Sequence, residues 1–121
     1  MTMNTTRKIF VFGSNLAGRH GAGAAKFAYD NFGAVYGKGI GLHGNSYAIP
    51  TKDEFIISLP LDRIKVFVED FKEFALTHPE LDFELTPIGC GLAGYKYSDI
   101  GPMFRDSPKN ITIPKEFLPY I

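Results

Sequence analysis

Hydrophobic and polar positions in this chain switch between a period of two and a period near 3.6. Ile9 to Phe12 is an apolar, β-branched and aromatic run ending at Gly13, and it predicts a buried strand. From Gly13 to Gly23 the pattern breaks, with glycine at 13, 18, 21 and 23, and this stretch reads as a loop. Ala24 to Phe32 sets Ala24, Ala25, Ala28 and Phe32 at helical spacing. Gly33 to Asn45 is glycine-rich and without period, hence loop, and Tyr47 to Ile49 is a short strand stopped by Pro50. Asp62 to His78 is the clearest helix. Ile64, Phe67, Val68, Phe71, Phe74 and Ala75 recur at three and four, Asp62 is placed to cap the start, and Pro79 lies just past the end. Phe83 to Ile88 reads as a strand that Pro87 either demotes or ends. Gly89 to Tyr95 is a second glycine loop. Ser98 to Phe104 predicts a short helix with Pro102 in its first turn or so, and Ile111 to Ile113 a last strand.

Strands alternating with helices argue for one α/β layered domain over residues 1–121, with a mostly parallel sheet. In such domains ligands sit at the carboxyl ends of strands, in the loops that lead into helices. Both glycine loops fall there.

Composition narrows the function classes. The chain has 121 residues, 45% of them hydrophobic and 21% charged, enough to build a single core. Lys+Arg and Asp+Glu are 13 each, so a protein that holds nucleic acid or anionic membrane by bulk positive charge is not expected. A single cysteine, Cys90, excludes an internal disulfide and a cysteine-based zinc site and fits a reducing, cytoplasmic setting. No stretch is apolar enough for a membrane span, and Met1 to Lys8 lacks the apolar core of a signal peptide. Without a secretory signal, the glycosylation patterns at Asn4-Thr5-Thr6 and Asn110-Ile111-Thr112 carry little weight. His20, His43 and His78 have no metal-type spacing, so no metal and no cofactor is expected.

The chemistry concentrates in the glycine loops. In the first, Gly13-Ser14-Asn15-Leu16-Ala17-Gly18-Arg19-His20-Gly21-Ala22-Gly23-Ala24-Ala25, glycines precede a helix whose N-terminus carries partial positive charge. Such a loop suits a phosphate, and equally a tight turn packed on the helix. Gly18 and Gly23 have P-loop spacing, but Ala24-Ala25 stand where Lys and Ser/Thr are required. Gly21 and Gly23 begin a dinucleotide fingerprint, but Lys26 occupies its third glycine position. Asn15 is either a ligand for a sugar hydroxyl or a turn-forming residue. In the second loop, Gly89-Cys90-Gly91-Leu92-Ala93-Gly94-Tyr95, Cys90 reads as a small hydrophobe rather than a nucleophile, since no histidine is near in sequence. Tyr95 and Tyr97 either stack on a ring or cover the core. His20 and His43 are two histidines in glycine-rich loops that either line one cleft or lie on the surface. Gly44-Asn45-Ser46-Tyr47-Ala48 fails as a serine-hydrolase elbow because it ends in alanine.

Asn15, the run His20-Gly21-Ala22-Gly23-Ala24-Ala25 and the run Ile88-Gly89-Cys90-Gly91-Leu92 together resemble the macro domains. The subgroup most similar contains the terminal ADP-ribose protein glycohydrolase. The resemblance spans roughly Ile9 to Ile113. It implies a three-layer α/β/α sandwich with a mixed sheet that binds ADP-ribose or a related nucleotide, free or on a macromolecule. It makes Gly21 to Ala25 the first diphosphate-binding loop, Gly89 to Tyr95 the second, and Asn15 a contact to the distal ribose. Tyr47-Ala48-Ile49-Pro50-Thr51-Lys52 is similar to the segment that supplies the subgroup's nucleophilic lysine, and Lys52 is the matching residue. Such a lysine must attack as the neutral amine, a state favoured by a nearby cation such as Arg19 or His20. The subgroup's second-loop aspartate is Ala93 here, which cannot move a proton. Asp53, beside Lys52, substitutes for it only if the backbone there is irregular. The residues therefore favour a binding module, with ADP-ribosyl hydrolysis on protein or nucleic acid as the alternative.

Overall fold

A computed structural model describes residues 7–121, so Asn4-Thr5-Thr6 lies outside the described residues. In chain order the elements are β1 (Arg7–Asn15), α1 (Gly23–Asn31), β2 (Gly41–His43), β3 (Ser46–Lys52), α2 (Leu61–Leu76), β4 (Leu81–Leu85), α3 (Tyr97–Ile100) and β5 (Ile111–Thr112). Short 3-10 turns occupy Gly101–Phe104 and Leu118–Tyr120. The five strands form one sheet in the order β2-β3-β1-β4-β5. β1 is central and parallel to both β3 and β4, β5 is parallel to β4, and β2 is antiparallel at the β3 edge. The chain is thus α/β with a mixed, mostly parallel sheet.

Alternation along β1 assigns its side chains to two cores. Ile9 and Val11 pack with Ile64, Val68, Phe71 and Ala75 of α2, the stripe predicted from spacing three and four. Phe10 and Phe12 face the other side, against Ala25 and Ala28 of α1. The α2 side is deep and aromatic: Tyr47, Phe71 and Phe83 form a cluster with ring centroids 4.9 to 6.3 Å apart. The α1 side is built of alanines, whose small side chains let the helix lie close to the sheet.

Several boundaries differ from the sequence expectation. β1 runs on through Gly13, Ser14 and Asn15, so the first loop begins only at Leu16. β3 passes through Pro50, which pairs in register with Ser14. Its antiparallel neighbour β2 covers only Ser46 to Ala48, leaving one side of β3 open at Pro50, where a missing N–H is tolerated. β2 itself interrupts the stretch expected to be loop. α2 starts at Leu61 with Pro60 at the N-cap, and Asp62 sits inside the first turn, where it complements the helix dipole instead of capping. β4 ends at Leu85, before Pro87. The last predicted helix is split: α3 is a single turn, and Pro102 opens the 3-10 turn after it. Among the described residues no helix is long and apolar enough to cross a membrane, and no cluster of three or more His, Cys, Asp or Glu is suited to a metal.

Candidate functional site: a cleft between the glycine loops

Parallel pairing points the carboxyl ends of β1, β3 and β4 the same way, so the segments that follow them meet at one edge of the sheet. They enclose a cleft of about 430 Å³. Its floor holds Ser14 and Thr51, both buried, with Thr86 beside them. One wall is Gly21 to Ala25 and the other runs from Gly89 through Gly91, Leu92 and Ala93. Arg19 and Lys52 contribute the two cationic side chains, and Ile56 and Leu92 form an aliphatic rim.

The walls face each other closely. A side chain at Gly23 would begin 3.9 Å from Leu92 Cδ1. Gly23 has φ +58°, a left-handed conformation that glycine adopts without strain, and it turns the chain directly into α1. The N-cap of α1 is Ala22, in extended backbone with no side-chain cap, and the first turn carries no acidic residue. The N–H groups of a helix's first turn have no intrahelical partner, so those of α1 remain available toward the cleft with the positive end of the dipole behind them. The opposite wall is pinned from outside: Ser58 Oγ donates to Ala93 O at 2.7 Å and Tyr95 OH to Leu59 O at 2.5 Å.

Most polar side chains lining the cleft are turned to the protein's own backbone. Ser14 Oγ donates to Gly39 O at 2.5 Å and Thr86 Oγ1 to Val11 O at 2.7 Å. Thr51 Oγ1 reaches Ser14 O at 3.4 Å, a weak bond. Asn15 donates from Nδ2 to Arg19 O and accepts from Arg19 N–H at Oδ1, both at 2.9 Å. Its amide closes the turn that begins the loop, the structural role weighed for it from sequence. What remains free to meet a ligand is two cations and a row of main-chain N–H groups. Among the described residues no Asp, Glu or His lines the cleft.

Of the residues singled out from sequence, Asn15, Gly21, Ala22, Gly23, Ala24, Lys52, Gly89, Gly91, Leu92 and Ala93 gather around this cleft. Four do not line it. His20 is 1% exposed, with Nε2 at 3.0 Å from Val35 O and 3.2 Å from Lys38 O. Both partners are carbonyls, so Nε2 carries the hydrogen, and the residue tethers the 33–40 segment to the first loop. Its ring meets Phe12 and Tyr36 edge-on, at 5.4 and 5.7 Å. Cys90 and Tyr95 turn to the far side of their loop, into a shallow depression with Lys96, Tyr97 and Tyr120. Burial, with Asp99 adding to it, pushes the Cys90 thiol up to about 11, the opposite of an activated nucleophile. Gly94 closes a turn, donating to Gly91 O at 3.0 Å.

Two further expectations fail. His43 is on the edge strand β2, bound to Ile40 O, so it shares no cleft with His20. Asp53 does not stand in for the missing acid: its Oδ1 accepts from Phe55 and Ile57 N–H at 2.8 and 3.0 Å, holding the turn after β3. Ser14, Thr51, Thr86 and Ile56 belong to the site and were not singled out. The first two became site residues only because β1 and β3 extend past the points where glycine and proline were expected to stop them.

No protein-family model matches the chain, and no curated protein or solved structure matches it. The macro-domain resemblance therefore rests on the two loop motifs and the Lys52 segment alone.

Proposed function

We propose that this chain is a macro-domain-like module that binds ADP-ribose or a related nucleotide diphosphate ribose between its glycine loops. The observation that carries the proposal is the convergence of two glycine loops on one cleft. That cleft has an uncapped helix N-terminus on one side, Arg19 and Lys52 within it, and no carboxylate in its lining. Donors without acceptors favour a polyanion, and close-approaching glycine backbone suits a diphosphate. The buried hydroxyls of Ser14 and Thr51 on the floor suit a sugar. Calorimetric titration with ADP-ribose tests this: saturable binding is expected, weakening as salt is raised because the attraction is ionic. Absence of detectable binding at low salt refutes it.

Lys52 in the cleft keeps a second reading, ADP-ribosyl hydrolysis with that lysine as nucleophile. No neighbouring group is available to protonate the leaving oxygen or activate water, since Ala93 is apolar and Asp53 is committed to its own turn. Arg19, which lines the same cleft, is the cation able to favour the neutral amine; His20 is not. The expected outcome is weak or absent release of ADP-ribose from modified protein or nucleic acid. Ala93→Asp raises that rate, and Lys52→Ala in the same background removes the gain. Rapid turnover by the natural chain that survives Lys52→Ala overturns this assignment.

A further inference from the structure

We infer that the cleft selects its ligand by the diphosphate and ribose and does not read the nucleobase, so that adenine, hypoxanthine and uracil forms bind alike. The inference rests on the proposed binding function and specifies its ligand class. It follows from the inventory of groups left to recognise a ligand. Distinguishing adenine from other bases requires an acceptor for its exocyclic amine paired with a donor for its ring nitrogen. The side chains able to supply both at once, a carboxamide above all, are engaged: the Asn15 amide is bonded at both ends to the Arg19 backbone. No carboxylate or imidazole lines the cleft among the described residues. Hydroxyl lone pairs remain on Ser14 and Thr51, but these residues are 3% and 4% exposed and form the floor, where a sugar fits and a purine does not.

At the open side, where the rest of a nucleotide must emerge, stand Ile56 and Leu92, 38% and 73% exposed. Aliphatic side chains contact the flat face of any base by dispersion and carry no hydrogen-bond code. Arg19 and Lys52 are also indifferent to base identity, because every candidate ligand offers them the same phosphates. The arrangement thus gives affinity from anions and apolar contact, with no element that rejects a changed base.

The test is a calorimetric panel at one salt concentration: ADP-ribose, its hypoxanthine and uracil counterparts, and ribose 5-phosphate. The three diphosphate riboses are expected within about 5-fold of one another, less than one hydrogen bond to a base would contribute. Leu92→Ala should weaken all three by the same factor. A preference for adenine of about 30-fold or more, the effect of a specific hydrogen bond, overturns the inference while leaving the binding function intact. A Leu92→Ala effect confined to the adenine ligand overturns it too. Failure of all four compounds to bind refutes the binding function itself, a result distinguishable from the other two.

Discussion

Gly91 is the position at which a single side chain best probes the anion site. It lies in the second glycine loop and lines the cleft, its φ is not in the left-handed region, and a Cβ built there has nothing within 4 Å. Gly91→Glu therefore adds a charge without backbone strain, which a change at Gly23 with φ +58° would not. For a carboxylate about 7 Å from each phosphate and an effective dielectric of about 40, repulsion is about 1.2 kcal/mol per phosphate charge. Two such charges sum to about 2.4 kcal/mol, or about 50-fold in affinity. Gly91→Ala serves as the steric control and should keep affinity within about 3-fold, with thermal stability unchanged or slightly raised. Calorimetry at low salt reads the first number. Because the Debye length falls from about 10 Å at 0.1 M to about 3 Å at 1 M salt, the gap between the Glu and Ala variants should narrow sharply at high salt. If a folded Gly91→Glu protein binds ADP-ribose as well as the parent at low salt, the phosphates do not lie against this loop and the anion-site argument is wrong.

Further outcomes follow from the packing and the titrating groups. Gly39→Ala would set a methyl 2.0 Å from Asn15 O, backbone against backbone, and should cost about 3 kcal/mol or more in urea unfolding; a change below about 1 kcal/mol would contradict the close approach of the 33–40 segment to β1. The Cys90 thiol is raised to about 11 from 9.0, so alkylation by iodoacetamide at pH 7.5 should be much slower than for the unfolded chain and should accelerate as pH passes through 9 to 11. Burial raises the Tyr47 hydroxyl from 10.0 to about 12. A raised acid binds its proton more tightly when folded, so both groups contribute stability that is complete below their unfolded values and lost as pH climbs, over roughly 9 to 11 for Cys90 and 10 to 12 for Tyr47. Urea midpoints across pH 8 to 12 check this; for Tyr47→Phe the loss above pH 10 should be smaller.

The amino-acid sequence by itself determined the layers. The stripe from Ile64 to Ala75 could only be a helix with one apolar face, and Ile9 to Phe12 only a strand buried on both sides; these patterns are local and act through period alone. It also determined where ligand chemistry concentrates, because glycine-rich segments between a strand and a helix are legible without knowing the fold. The tertiary structure decided which of those residues face a ligand. His20 lies inside a glycine motif yet is consumed by two carbonyls of the 33–40 segment, fifteen to eighteen residues away in sequence. Asn15 is spent on Arg19, and Tyr95 on Leu59 across the sheet edge. Ser14 and Thr51 joined the site because pairing in register carried β1 and β3 past Gly13 and Pro50. Such partnerships depend on contacts between distant segments, which neither period nor composition encodes. A side chain's availability for chemistry is what its other bonds leave over, and those bonds exist only once the chain has folded.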